Sequence, residues 1–141
     1  MKNYEFLEHT ADVKFIASGK TLEKAFENCA YALTDTMTNH KKIAQTVQKE
    51  ISVESEDNKA LLYDFLEQFL ILVDTNGFIL GKIKSIKIEK NKKGLKLTAK
   101  VVGDTKIERY EIDTHIKAVT YSEMFIKRSK GSYSIQVILD I

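Results

Sequence analysis

Between positions 58 and 76, apolar residues recur at Leu61, Leu62, Phe65, Leu66, Phe69, Leu70 and Val73, a broad stripe at helical spacing. A helix this apolar along one side cannot stand alone in water and must lay that side on another layer of structure. Asp57 or Asn58 suits its N-cap, and Asn76-Gly77 its stop. A second helical face runs through Leu22, Ala25, Phe26, Cys29, Ala30, Leu33 and Met37, with Thr21 as N-cap and an end near Asn39.

The rest of the chain is patterned for strands, so strands must supply the layer on which the helices rest. β-type runs occupy 4–8, 13–17 and 43–54, and from Phe78 onward the pattern is almost wholly β. The apolar spacing is two up to Ile83 and then shifts by three to Ile86, which predicts a bulge near Ser85. Asn91-Lys92-Lys93-Gly94 reads as a hairpin turn, after which Leu95, Leu97, Ala99 and Val101 alternate with Lys96, Thr98 and Lys100. Further strands are predicted at 106–112, 116–121, 124–127 and 133–139. The fold class is α+β: two helices packed on one face of a largely antiparallel or mixed β-sheet, in a single domain.

At 141 residues, with 43% apolar and 30% charged side chains, the chain has enough apolar material for one core and too little length for two. No proline, repeat or composition break marks a linker. The 22 basic and 20 acidic side chains nearly cancel, at +2, which argues against nucleic acid or an anionic membrane as an obligatory partner. No apolar run approaches the roughly 18 residues of a membrane span and no signal-like segment is evident, so a cytoplasmic location is expected. Cys29, the only cysteine, lies on the apolar helix face; it reads as a packed core thiol rather than a nucleophile.

Chemistry-bearing residues gather at two places. Asp12 stands in a polar turn with Glu8 and His9, where it either stabilises the turn backbone or presents a carboxylate to solvent or a metal. At the other end, Asp140 and the α-carboxylate of Ile141 follow an apolar strand directly. They are either a plain strand end or a pair of hard oxygen donors of the kind magnesium or calcium prefers over zinc. Asp113, Thr114 and His115 with Glu123 bracket the strand at 116–121, as an acid/base group or as turn and solvated side chains. Lysines 82, 84, 87, 90, 92, 93, 96 and 100 crowd one hairpin, where they could meet phosphates or keep exposed strands from pairing with other chains. No phosphate loop, nucleophile elbow or metalloprotease His pair is present.

The segment Glu8-His9-Thr10-Ala11-Asp12, the segment Asp113-Thr114-His115-Ile116-Lys117-Ala118-Val119-Thr120-Tyr121 and the Asp140-Ile141 finish together resemble the archease family across the whole chain. One departure stands out: family members commonly read Tyr-His-Glu where this chain has Tyr121-Ser122-Glu123. The resemblance implies a non-catalytic accessory protein of an RtcB-type RNA ligase in tRNA splicing, promoting guanylylation of the ligase and its multiple turnover. It implies transfer RNA met only through the ligase and no membrane contact. It further implies a divalent metal, calcium first with magnesium or manganese as alternatives, on groups that map to Asp12, Asp140 and Ile141. His9, Asp113, His115 and Glu123 are candidates for support or ligase contact. Two rival functions follow from the residues alone: a metal-dependent phosphoester hydrolase using Asp12, Asp140 and His115, and an RNA-binding module using the lysine hairpin.

Overall fold

The computed structural model describes residues 3–8 and 11–141, so His9 lies outside the described residues. Strand β1 (Tyr4–Leu7) is followed by β2 (Asp12–Gly19), helix α1 (Leu22–Met37), β3 (Val47–Ser55), helix α2 (Asn58–Asn76), β4 (Ile79–Asn91), β5 (Gly94–Asp104), β6 (Ala118–Val119), β7 (Phe125–Ser129) and β8 (Ser132–Asp140). The α+β class holds, but the strands form two sheets instead of one. A five-stranded sheet runs β1-β2-β8-β6 with β7 also on β8, and a three-stranded sheet runs β3-β5-β4. Every pairing described is antiparallel.

Helix α1 starts where Thr21 Oγ1 accepts the Lys24 backbone N–H at 3.0 Å, and α2 where Asp57 Oδ1 accepts that of Ala60 at 2.9 Å. Each cap meets a donor that the first helical turn leaves without an internal partner. Gly77 ends α2 in the left-handed region (φ 61°), which costs glycine nothing, and Phe78 N–H donates to Leu72 O at 3.1 Å. Helix α1 packs against β2 and β4 and reaches β8, whereas α2 packs against β3 and β5 and reaches β6 and β7. Phe26 of α1 and Phe65 of α2 stack at 6.0 Å inside one core cluster that includes Phe15, Leu97, Val137 and Leu139 from the two sheets. Each such fully buried side chain contributes about 1.5–3 kcal/mol.

Three expectations need correction. The segment 106–112 is not a strand: Asp104 accepts the Lys106 N–H on Oδ1 and the Tyr110 hydroxyl on Oδ2 (2.6 Å), curling the chain into a 3-10 turn at Ile107–Arg109. A side chain that takes up local backbone donors competes with a strand ladder. The strand expected at 43–54 begins only at Val47, because residues His40–Lys42 form another 3-10 turn that drops Ile43 into the core. The strand expected at 116–121 shrinks to Ala118–Val119. The bulge expected near Ser85 is present as a register shift between Ile83 and Ser85, with another between Leu80 and Lys82.

Candidate functional site

Along β2 and β8 the register pairs Val13, Phe15 and Ala17 with Leu139, Val137 and Ile135, the side of the sheet that faces the core. The alternate residues, Asp12, Lys14, Ile16 and Ser18, therefore face away from α1 together with Asp140, Ile138, Gln136 and Ser134. On that outer face Asp12 stands directly opposite Asp140. Side chains so placed have Cβ atoms about 4.5–5.5 Å apart on one face. The same Asp140 is flanked on its other edge by Ala118, and its carbonyl accepts the Lys117 N–H at 2.7 Å. The end of β8 is thus clamped from both sides, with Ile141 one residue beyond and only partly buried.

Glu123 joins this face. Its Oε1 lies 3.0 Å from Lys14 Nζ, and its carbonyl accepts the buried Gln136 side-chain amide at 2.9 Å. The loop between β6 and β7 is thereby tied down, and Glu123 adopts a left-handed backbone conformation (φ 53°) within it. Asp113 and His115 behave differently. Both are exposed in the extended run before β6, and the Asp113 N–H donates to Met37 O at the end of α1 (2.8 Å). Two of the residues singled out in the sequence, Asp12 and Asp140, thus face each other at one end of the sheet, and Ile141 follows Asp140 in the chain. Glu123 bonds Lys14 on the same sheet face, while Asp113 and His115 are carried by a different segment.

Among the described residues, no group of three or more His, Cys, Asp or Glu side chains forms a metal cluster. The juxtaposed set here is of another kind, with two side-chain carboxylates and the group at the end of the chain. Its side-chain donors are hard oxygens carried directly opposite each other on one face of the sheet. Oxygen donors of this type are the ones a hard divalent cation such as calcium or magnesium takes.

Comparison with known proteins bears on the whole chain. The Archease protein family (MTH1598/TM1083) matches residues 4–141. This chain belongs to the Archease family. "Protein archease" of Thermococcus kodakarensis is 41% identical over the full length of both chains, and its counterpart in Methanosarcina mazei is 33% identical over 99% of this chain and 97% of that one. The solution structure of Methanobacterium thermoautotrophicum Protein 1598 is similar, with a TM-score of 0.86 and 36% identity over all of both chains.

Other features of this archease-family chain carry structure rather than chemistry. Cys29 is fully buried, and burial pushes its thiol well above the ordinary range, as expected for a packed core cysteine. The hairpin lysines are not a pure cationic face. The register sets Lys100 beside Glu50, and Lys96 between Glu54 and Glu89. Cross-strand carboxylates therefore face two of the eight lysines, and Lys87 lies 3.6 Å from Glu89.

The sequence reading missed the partners of Glu123, since Lys14 and Gln136 carry no signal of their own. It also missed the stack of Tyr63 on Tyr121, with centroids 4.6 Å apart and planes within 10°. Tyr121, the last residue of the segment 113–121 named above, was the available clue. No helix among the described residues is long and apolar enough to cross a membrane.

Proposed function

We propose that this chain is a non-catalytic accessory protein of an RtcB-type RNA ligase in tRNA splicing and repair, promoting guanylylation of the ligase and its repeated turnover. The observation that carries this reading is the cross-strand pair of Asp12 and Asp140 at the open end of the sheet. Asp12, Asp140 and the α-carboxylate of Ile141 would hold a divalent cation, calcium ahead of magnesium or manganese. When bound, the ion supplies a positive centre that attracts phosphate oxygens. The chain's own residues supply rigidity: Lys117 N–H fixes the carbonyl of Asp140, and Lys14 and Gln136 hold Glu123 and its loop against the same face. An acidic end already ordered before contact loses little entropy when it enters a concave partner. The same reading places the protein in the cytoplasm, with transfer RNA met only through the ligase.

Family membership weighs against the hydrolase and RNA-binding alternatives, and the carboxylates facing Lys96 and Lys100 weigh further against the second. The deciding experiment is multiple-turnover ligation with limiting ligase, with and without this protein, repeated with Asp12→Ala and with residues 140–141 deleted. Stimulation by the native chain and its loss in both variants is the expected result. Phosphoester hydrolysis by the protein alone, abolished by Asp12→Ala, would favour the hydrolase. If charge reversal at Lys87, Lys96 and Lys100 abolished stimulation while Asp12→Ala left it intact, the acidic-end mechanism would be wrong.

A further inference from the structure

Tyr121 is one of the few large apolar side chains left exposed, at 53%, and it sits in the turn leading to Glu123. One face of its ring lies on Tyr63 of α2, so the open half is the opposite face and edge. The turn is held firmly. Met124 N–H donates to Tyr121 O (3.1 Å), Ser122 N–H to Thr120 Oγ1 (3.3 Å), and Thr120 Oγ1 in turn to Ile138 O (2.8 Å).

The surroundings are acidic. Burial first, then the carboxylates of Asp64, Asp57 and Glu67 together with the Tyr63 ring, hold the Tyr121 phenol above its ordinary value. Two of these carboxylates are fixed in place, Asp57 by the Ala60 N–H and Asp64 by Ser55 Oγ at 2.6 Å. Glu67 stands one helical turn beyond Tyr63, on the same side of α2.

We infer that Tyr121, backed by Tyr63 of α2, the helix that also carries Asp64 and Glu67 and is capped by Asp57, is a docking point for an arginine on the basic surface of a protein partner. Guanidinium is planar, so it stacks on the open ring face while its N–H groups reach carboxylates; ammonium offers no such plane. A nucleobase also stacks on tyrosine, but its phosphates would meet three carboxylates. Rigid aromatics of this kind are the usual anchors of protein interfaces. The inference goes beyond the proposed function, because it depends on the patch alone and not on what the partner does.

The test uses the full chain and two capped peptides, one alternating glycine with arginine and the other glycine with lysine. The Tyr63 and Tyr121 ring resonances are followed by NMR during titration. The arginine peptide should shift both rings and bind about two- to fivefold more tightly than the lysine peptide, the range of a solvent-exposed cation–π contact. Tyr121→Leu should remove that preference, and Glu67→Gln should weaken binding of both peptides. Equal binding of the two peptides, shifts confined to other residues, or stronger ring shifts with a single-stranded oligonucleotide would overturn the proposal. Ligase stimulation is measured separately. Its absence would count against the proposed function and leave the peptide result standing.

Discussion

Lys14 Nζ and Glu123 Oε1 lie 3.0 Å apart although 109 positions separate them in the chain. The pair matters because Lys14 shares its sheet face with Asp12 and Asp140, so the bridge sets one cation and a third carboxylate beside the facing pair. Glu123 is more than half exposed, and such a bridge contributes under about 1 kcal/mol. Glu123→Gln should therefore barely move the denaturant midpoint. Gln136→Ala, which takes a buried donor from the Glu123 carbonyl, should cost about 1–3 kcal/mol in the same unfolding experiment. Equal losses in the two variants would show that the loop is held otherwise.

Asp140→Asn removes one of two like charges that face each other across β2 and β8. In chelator the variant should stay within about 1 kcal/mol of the native chain in stability. Added calcium should raise the melting temperature of the native chain through mass action and leave that of the variant unmoved. Thermal melts with and without calcium decide the matter; an equal rise in both proteins would place the ion elsewhere.

Asp35 accepts the His40 backbone N–H (2.9 Å) and meets the His40 ring Nδ1 (2.8 Å) through Oδ1, and it accepts the Tyr4 hydroxyl through Oδ2. Burial alone would raise its carboxyl, but the hydrogen bonds from His40 and Tyr4 outweigh burial and hold it below the ordinary value. A carboxyl lowered in the folded state stabilises the protein fully above its unfolded value, and that contribution fades as pH falls through the lowered one. Asp35→Asn should accordingly destabilise the protein at neutral pH, with the gap to the native chain closing below about pH 4. Melts recorded from neutral to strongly acidic pH test this, and a constant gap would refute the assignment.

At Gly103 an added Cβ would stand 1.9 Å from the Ile79 carbonyl oxygen, a backbone atom that cannot swing aside. Gly103→Ala should cost about 3 kcal/mol by forcing β4 and β5 apart beside the Leu80/Lys82 register shift. Denaturant unfolding measures it. A near-neutral outcome would mean the strands separate there at little cost.

Both helices, their caps at Thr21 and Asp57, the Gly77 stop, the Ser85 bulge and the Asn91–Gly94 turn were legible in the sequence. Each rests on periodicity or on side chains acting within a few residues of themselves. Residues 106–112 carried a strand-like pattern and still folded otherwise, because Tyr110 and Lys106 bond to Asp104 and take the segment out of any ladder. The division of the strands into two sheets was likewise beyond the sequence, since alternation names a strand's faces but not its neighbours. Asp12, Asp140 and Ile141 could be named as oxygen donors from their residue types and positions. Only the β2–β8 register, decided by which apolar residues of the two strands meet in the core, set Asp12 against Asp140, and a slip of one residue would have separated them.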